Sequence, residues 1–311
     1  MSAVGRRALL RGAASVGGLG LLGGPLARGA RTRTFVLVHG SNGNAGVWSA
    51  VAAELAQRGH RVCAVNLPGH GPDAFFPASY QAPQDLAAFA AAPSPLAQVT
   101  LAANVKHVTA AVRRLAPHGP VVLVGQSLGG ITVTKVADAV PHLLARLVYI
   151  SAFCCTAQPT VYDMYRTPEG APSLVLTLPK VGDPAQTGAL RTNWRSADPA
   201  FLATAKAAFL ADGTDERLRA ILAECEPDEA AILSFTDARP DPARWGGVPR
   251  TFVRLTADCA VPLPLQDRMI READALTPRN RFRTASLPSS HLGFLDRPAT
   301  VADLLESEPA Q

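Results

Sequence analysis

Residues 124–130 read VGQSLGG and directly follow the apolar run PVVL. In the spacing Gly125-x-Ser127-x-Gly129, the glycines fit a strand-to-helix turn so sharp that larger side chains at the flanking positions would collide. Such a turn raises the serine hydroxyl out of the sheet. Because G-x-S-x-G also occurs in ordinary Gly/Ser turns, the rest of the chain has to decide between a nucleophile and a simple turn.

The composition is that of a globular protein, with 311 residues, 48% hydrophobic and 18% charged. The formal net charge of +5 includes six arginines that precede the first acidic residue, Glu54, so the remainder carries a charge of −1. A body without net positive charge gives no reason to expect nucleic acid as a partner. Five cysteines without C-x-x-C spacing indicate neither a zinc site nor a dense disulfide framework, although one bridge from Cys154 or Cys155 to Cys225 stays open.

Residues 1–33 are predicted to be an export signal. Twin arginines, Arg6 and Arg7, precede a Gly-, Ala- and Leu-rich stretch, and small residues follow it, which resembles a twin-arginine signal. The stretch, residues 13–26, is shorter than the ~20 apolar residues of a stable membrane span, so no such span is expected. An arginine-rich tail is the alternative, and the lack of a clean A-x-A motif leaves cleavage open.

After this segment, short apolar or β-branched runs alternate with longer helical patterns. Runs buried on both faces are typical of parallel strands, so the alternation predicts an α/β fold with a doubly wound, mostly parallel sheet of about six strands. The predicted strands cover residues 34–39, 61–66, 120–125, 146–151, 250–255 and 280–285. The predicted helices cover residues 46–58, 98–116, 128–140, 262–275 and 297–306.

The alternation is interrupted between residues 154 and 245, where no convincing strand is found. This stretch is too long for an ordinary loop. We interpret residues 154–245 as a helical lid inserted into a core formed by residues 34–153 and 246–311. Helix-like pieces of the lid lie at residues 199–211, 215–225 and 227–235.

A serine hydroxyl near neutral pH is a poor nucleophile, so Ser127 needs a base and a group that orients the base. The acid and the histidine are expected on later loops, in the order Ser, Asp or Glu, His. Asp258 lies three residues past the predicted strand 250–255. His291 lies between the last strand and the last helix and is the only histidine in the second half of the chain. These two residues are the predicted acid and base.

Other polar residues have competing explanations. Asp258 alone would also fit a loop aspartate or a helix cap, and Asp237 and Asp241 remain weaker candidates for the acid because both precede the strand. His70 is expected to shape the loop after the second strand. Four further histidines are expected to be solvated on helix surfaces or in turns: His60, His107, His118 and His142.

Acyl transfer also needs two backbone N–H groups aimed at the oxygen that becomes negative. One is expected from Leu128, whose amide begins the helix after the serine and gains from the helix dipole. The second is expected from Ser41, in the loop 39–48 that follows the first strand and reads HGSNGNAGVW. Together with the predicted acid and base, these groups favour an enzyme.

The motifs resemble those of the α/β-hydrolase superfamily, and within it the group of plant methylesterases, hydroxynitrile lyases and bacterial carboxylesterases. The resemblance covers about residues 34–306 and is most specific at VLVHGSNGNAGVW, VGQSLGG, TADCAVP and SHLGFLDRP. It implies a Ser127-His291-Asp258 triad, no cofactor or metal, and hydrolysis of a carboxylic ester through an acyl-enzyme intermediate. The chain departs from many relatives at Gln126, where they have His or Glu, and in the lid, so the resemblance does not specify the substrate.

The aromatic content of the lid predicts a small-molecule ester with an apolar or aromatic group. A carbon-carbon lyase of the hydroxynitrile type and a non-catalytic binding protein on the same fold remain alternatives, and the oligomeric state stays open. Plant hydroxynitrile lyases carry a threonine after the residue that matches His39 and a lysine after the triad histidine, where this chain has Gly40 and Leu292. Epoxide hydrolases and dehalogenases are disfavoured because they use an aspartate as nucleophile.

Overall fold

The computed structural model describes residues 32–307. Its strands are β1 (Thr34–Val38), β2 (Arg61–Val65), β3 (Val121–Gln126), β4 (Leu144–Ile150), β5 (Ala189–Arg191), β6 (Asp228–Ala230), β7 (Arg250–Leu255) and β8 (Arg283–Leu287). Six of them form one parallel sheet in the order β2-β1-β3-β4-β7-β8. The predicted α/β fold with a six-stranded parallel sheet is confirmed.

Helices flank this sheet, and the five helices predicted for the core are confirmed to within a few residues. The helices are α1 (Ser49–Gln57), α2 (Leu86–Ala91), α3 (Leu101–Leu115), α4 (Gly129–Ala139), α5 (Val161–Tyr165), α6 (Pro184–Thr187), α7 (Pro199–Phe209), α8 (Asp215–Glu224), α9 (Leu263–Leu276) and α10 (Pro298–Glu306). The five that were predicted for the core are α1, α3, α4, α9 and α10.

Both faces of the sheet are buried under helices. Successive side chains of a strand point to opposite faces, so Phe35 and Leu37 of β1 pack in a core with α1 and α10. Val36 and Val38 pack on the other face, in a core with α3, α4 and α9. Burial on both sides explains why the inner strands read as continuous apolar runs, which is the pattern that identified them in the sequence.

The edge strands differ from the prediction. β2 and β8 lie at the two edges of the sheet and mix buried with exposed positions, so the expected burial on both faces is wrong for them. β8 also begins at Arg283 instead of residue 280. The Phe282 N–H donates to Asp274 Oδ1 at 2.7 Å, which holds the preceding residues against α9 and away from the sheet.

The segment 154–245, called the inserted segment from here on, contains strands that the sequence did not predict. Helices α7 and α8 match two predicted helical pieces, but the third piece begins as β6, which pairs antiparallel with β5. The buried Asp228 carboxylate of β6 accepts hydrogen bonds of 2.6 and 2.7 Å from Arg191 of β5. Because this buried pair is polar, the two strands lack the apolar pattern by which the other strands were predicted. The interpretation of the segment as a lid stays a prediction.

The histidine and cysteine expectations meet mixed outcomes. His107, His118 and His142 are exposed as expected, but His60 is buried. Its Nδ1 accepts a hydrogen bond from the Arg33 N–H at 3.2 Å, and its Nε2 contacts Glu306 near the end of α10. A histidine that joins two distant segments has no sequence signal for burial. All five cysteines are free thiols, so no bridge to Cys225 forms.

The predicted export signal lies outside the described residues except for its last two positions, and it stays a prediction. No single helix in residues 32–307 is long and apolar enough to cross a membrane, although the bent pair Leu86–Gln98 and Leu101–His118 reaches that length and composition together.

The strand order reverses at β1, which has β2 on one side and β3 on the other. At such a point the loops at the carboxyl ends of the strands diverge and leave a crevice. The loop after β1 and the start of α4 touch there, because a Cβ at Gly129 would lie 2.5 Å from the His39 carbonyl oxygen. Gly129 therefore lets α4 begin directly against this loop.

We expect Gly129→Ala to lower the free energy of unfolding by about 1–3 kcal/mol, because the new methyl group would meet backbone that cannot rotate away. Gly247→Ala is the matched control, since a Cβ at Gly247 meets nothing within 4 Å. Urea unfolding of both variants and the wild type measures the difference. Equal stability of the two variants would contradict the close packing.

Candidate active site

The turn between β3 and α4 has the sharp geometry that the two flanking glycines predict. Ser127 adopts a φ of 51°, in the left-handed region that costs a residue with a side chain about 1–3 kcal/mol. A Cβ at Gly125 would lie 2.9 Å from Val133 Cγ2, so only glycine fits there without a shift. The strained serine is therefore held by its surroundings at the carboxyl end of β3.

Asp258 and His291 follow β7 and β8, and their side chains meet in the interior. His291 Nδ1 lies 2.6 Å from Asp258 Oδ2, and both residues are 4% exposed. The other carboxylate oxygen accepts hydrogen bonds from the N–H groups of Ala260 at 2.7 Å and Val261 at 2.8 Å. Ser151 Oγ donates to Oδ2 at 2.6 Å. These partners satisfy both oxygens and fix the carboxylate beside the imidazole.

Ser151 is a site residue that the sequence did not single out. It directly follows β4, is fully buried and has a φ of 41°. Because β4 lies between β3 and β7, the end of β4 faces both the turn at Ser127 and the loop of Asp258. A polar residue at the carboxyl end of a central strand was the available signal.

The two weaker candidates for the acid lie away from His291. Asp237 is exposed and pairs with Arg239 at 2.5 Å. Asp241 is also exposed and accepts a hydrogen bond from the Ala243 N–H at 2.8 Å. Asp258 is thus the only one of the three aspartates that contacts the histidine.

Gln126 contacts the other nitrogen of the imidazole. Its Nε2 lies 3.0 Å from His291 Nε2, and the side chain is buried. Since the Nδ1 proton points at Asp258, His291 Nε2 is an acceptor and the Gln126 amide donates to it. No hydrogen bond joins Ser127 to His291 within residues 32–307, so the amide of Gln126 occupies the nitrogen that a catalytic base would use.

The two predicted N–H donors lie around one cavity. Ser41 and Leu128 both line it together with Ser127, and neither of their backbone N–H groups donates a hydrogen bond in the described part of the chain. A Cβ at Gly40 would lie only 2.7 Å from Ser127 Cβ. The loop after β1 therefore lies directly against Ser127, and the role of the two N–H groups as oxyanion donors stays a prediction.

His39, as a neutral imidazole, holds this loop through contacts at both ring nitrogens. Its Nδ1 lies 2.8 Å from the Gly40 carbonyl oxygen, and its Nε2 accepts a hydrogen bond from the Leu67 N–H at 3.1 Å. Burial, together with the neighbouring His70, lowers the pKa of His39 to about 4. The ring can therefore donate at one nitrogen and accept at the other at neutral pH.

A buried charge network connects the same loop to the inserted segment. His70 Nδ1 lies 2.6 Å from Glu226 Oε2, and His70 Nε2 lies 3.6 Å from Glu229 Oε1. Glu229 Oε2 accepts a hydrogen bond from the Asn42 N–H at 3.0 Å, and the Asn42 side chain donates to the Glu226 carbonyl at 2.9 Å. Asn42 is the residue after Ser41, so the network holds the loop that carries a predicted oxyanion donor.

The charges in this network stabilise one another. Burial alone would lower the pKa of His70, but Glu229 and Glu226 raise it to about 10. Burial alone would raise the pKa of Glu229, but His70 and the Asn42 N–H hold it below its ordinary value. His70 was expected to shape its loop, and the structure adds that the side chain is buried between two carboxylates, which the sequence did not predict.

The cavity at Ser127 has a volume of about 450 Å³. The core residues that line it include Gln126, Ser127, Leu128 and His291. Apolar and aromatic side chains line most of the remainder: Phe153, Val161, Tyr162, Tyr165, Val175, Leu176, Leu190, Trp194, Phe209, Leu222, Phe235 and Leu292. Met164 and Phe201 of the inserted segment are buried in the apolar cores and do not line the cavity.

The cavity also contains a cation that the sequence did not indicate. Leu292, which stands after His291 where plant lyases have a lysine, lines the cavity. Lys180 of the inserted segment, however, lines the same space. The position after His291 thus lacks an ammonium, while a different element supplies one to the cavity.

A parallel sheet with a serine elbow at the carboxyl end of β3 and a histidine and aspartate after later strands defines an α/β-hydrolase fold. The chain belongs to the Alpha/beta hydrolase family, whose model matches residues 35–304. The predicted superfamily is confirmed.

Several relatives carry the names of esterases. The chain is 23% identical to the putative methylesterase 11, chloroplastic, of Arabidopsis thaliana, over 88% of this chain and 63% of that protein. It is 23% identical to the pyrethroid hydrolase of Sphingobium wenxiniae, over 87% of this chain and 85% of that protein. The chain spans 56–63% of the length of the three putative methylesterases it matches.

Solved structures share the fold. A crystal structure of polyneuridine aldehyde esterase has a TM-score of 0.66 and 19% identity, and the match covers 88% of this chain and 98% of that one. A pyrethroid hydrolase from Sphingobium faniae has a TM-score of 0.67 and 22% identity, with 88% and 96% of the two chains covered. At this identity the likeness establishes the fold alone.

We expect Glu229→Gln to make stability less sensitive to alkaline pH. With its pKa raised to about 10, His70 contributes stability that is complete below its ordinary pKa of 6.5 and is lost as the pH rises through about 10. Loss of the Glu229 charge lowers the pKa of His70, so the fall in the free energy of unfolding across that window becomes smaller. Urea unfolding at several pH values measures this free energy in the variant and the wild type.

Glu224→Gln is the control, because Glu224 is an exposed carboxylate at the end of α8. This variant should keep the alkaline profile of the wild type. A profile that Glu229→Gln also leaves unchanged would argue against a charged His70.

Proposed function

We propose that the protein is a serine carboxylesterase that acts through an acyl-enzyme intermediate. The observation that carries this proposal is the buried Asp258–His291 pair, with 2.6 Å between oxygen and nitrogen, at a cavity that also exposes the strained Ser127. The names of the relatives favour ester hydrolysis, and the small-molecule substrate follows from the size of the cavity.

In the first half-reaction, Ser127 Oγ attacks the ester carbonyl while His291 Nε2 takes the hydroxyl proton. Asp258 keeps the proton of the imidazole on Nδ1 and stabilises the imidazolium that forms. The tetrahedral oxyanion accepts hydrogen bonds from the N–H groups of Ser41 and Leu128. Collapse of this intermediate releases the alcohol, which receives its proton from His291, and leaves the acyl group on Ser127.

In the second half-reaction, water replaces the alcohol. His291 Nε2 takes a proton from the water as it attacks the acyl carbonyl, and the same two N–H groups bind the new oxyanion. Return of the proton to Ser127 Oγ releases the carboxylic acid and restores the free enzyme. No group other than side chains, backbone and water is needed for these steps.

Gln126 adds one requirement to this cycle. Its amide donates to His291 Nε2 at 3.0 Å, the atom that has to accept the proton of Ser127. The amide must therefore move, or share this lone pair, when the serine hydroxyl turns towards the histidine. Gln126 stands where many relatives have His or Glu, so this hydrogen bond to the base before the reaction depends on a residue that those relatives lack.

Two alternatives remain in view. A carbon-carbon lyase is favoured by one relative, the α-hydroxynitrile lyase of Arabidopsis thaliana, 32% identical over 40% of this chain, and by the Lys180 ammonium in the cavity. A non-catalytic binding protein is disfavoured because it would have no need of the hydrogen-bonded Asp258–His291 pair.

Export through residues 1–33 by the twin-arginine route is proposed from the sequence alone.

A fluorophosphonate should label the wild type and fail to label Ser127→Ala, because only an activated serine attacks phosphorus readily. His291→Ala should lower kcat by several orders of magnitude, since the hydroxyl then lacks its base. Asp258→Asn should lower kcat severely with the fold intact, because the amide favours the wrong imidazole tautomer. Mass spectrometry measures the labelling, ester turnover gives kcat, and circular dichroism measures whether the fold is intact. Stoichiometric labelling of Ser127→Ala would refute the assignment.

Hydrolysis and carbon-carbon cleavage are separated with two substrates. The purified protein should hydrolyse p-nitrophenyl acetate or butyrate and release no cyanide from mandelonitrile above the buffer rate, because Gly40 and Leu292 replace the threonine and lysine of plant lyases. Ser127→Ala is the control for both reactions. Cyanide release that disappears in Ser127→Ala, with no ester turnover, would assign the site to a lyase.

A further inference from the structure

The cavity at Ser127 carries positive charge without a compensating carboxylate. Arg166 and Lys180 line it, and no aspartate or glutamate of residues 32–307 does. Both cations belong to the inserted segment, whereas Ser127 and His291 belong to the core. A largely apolar cavity with two cationic side chains distinguishes ligands by charge.

The Lys180 ammonium has a weak set of partners. Its Nζ donates a hydrogen bond to Thr192 Oγ1 at 3.3 Å and forms no ion pair with a carboxylate of the described residues. The residue is exposed at the cavity wall, so its ammonium is reached by water as well as by a bound ligand. An anion bound beside it would supply the charged partner that the described residues do not.

Two of the other three lysines are neutralised by neighbours, and the third, Lys106, is exposed. Lys135 pairs with Asp138 at 2.5 Å, and Lys206 pairs with Asp215. Lys180 and Lys106 are thus the two lysines without an ion pair among the described residues. Lys180 differs from Lys106 because it lines a cavity whose wall is largely apolar.

Arg166 lies at the mouth of the cavity, where the lining residues are exposed. Its Nη1 donates to the Tyr162 hydroxyl at 3.0 Å, and its guanidinium lies 5.4 Å from the centroid of that ring. Tyr162 is 42% exposed and packs on Phe235, with 4.9 Å between ring centroids. These contacts hold Arg166 in place without cancelling its charge.

We propose that the preferred substrate is an ester with a carboxylate at the end remote from the scissile bond, joined to the ester by an apolar chain or ring. This inference rests on the proposed esterase function. The apolar part packs on Phe153, Trp194 and Phe209, the carboxylate binds Lys180, and Arg166 attracts it at the mouth. A neutral ester fits the same cavity but leaves the ammonium without a partner.

Matched esters that differ in one charge test this proposal. Monomethyl adipate is compared with methyl hexanoate for a carboxylate on the acyl side, and ω-acetoxyhexanoate with hexyl acetate for one on the alcohol side. We expect kcat/KM to be about 10- to 100-fold higher for the anionic member of at least one pair, the range of a charge-assisted hydrogen bond. This preference should decrease as sodium chloride is added.

Three variants connect the preference to one side chain. Lys180→Met removes the charge and keeps most of the length, so it should abolish the preference and bring kcat/KM of the two members of each pair to within about twofold of each other. Lys180→Arg should retain most of the preference. Lys106→Met is the control, because Lys106 is an exposed residue of α3 that does not line the cavity, and it should behave as the wild type.

The outcomes separate this inference from the proposed function. Equal kcat/KM within both pairs, or a preference that Lys180→Met leaves unchanged, overturns the inference while ester turnover supports the esterase. Absence of all ester turnover together with absence of fluorophosphonate labelling contradicts the esterase itself. Lys180-dependent cyanide release from mandelonitrile, without ester turnover, would assign the ammonium to a departing anion and overturn both.

Discussion

Backbone-to-backbone contact between the loop after β1 and the turn after β3 is the constraint around which the site is arranged. A Cβ at Gly40 would lie 2.7 Å from Ser127 Cβ, and one at Gly129 would lie 2.5 Å from the His39 carbonyl oxygen. No side chain fits between the two segments. Because β1 and β3 are neighbours with both faces buried, the sheet fixes this contact rigidly, and Ser41 and Leu128 line one cavity.

Charge, and not apolar packing alone, attaches the inserted segment to this contact. Glu226 and Glu229 lie at β6 and bind His70 and the Asn42 N–H of the core loop. Removal of one member would leave a buried charge without a partner. That loss costs more free energy than the intact pair contributes, so the contacts of the network have to be kept together. The segment is therefore anchored to the loop 39–48 at β6, while Tyr162 and Phe235, elsewhere in the segment, are exposed.

The parts of the fold that were predictable are those with local signals. Inner strands show as apolar runs, the turn at Ser127 shows as paired glycines, and Asp258 and His291 follow from chain order after strands. The buried polar contacts were not predictable, because their partners are remote: His70 and Glu226 are 156 residues apart. Neither has a periodicity that marks burial, and the same reason concealed Ser151.

The charge of the cavity illustrates a second limit of sequence comparison. At the position after the histidine, where plant lyases have a lysine, this chain has Leu292, and a comparison at that position predicts a neutral site. The fold nevertheless brings Lys180 to the cavity from an element 112 positions earlier. Whether a lysine is neutralised depends on which carboxylates surround it in space, so Lys180 and the paired Lys206 cannot be told apart in the sequence. Selectivity for charge in this site therefore belongs to the inserted segment, while the predicted bond-breaking groups belong to the core.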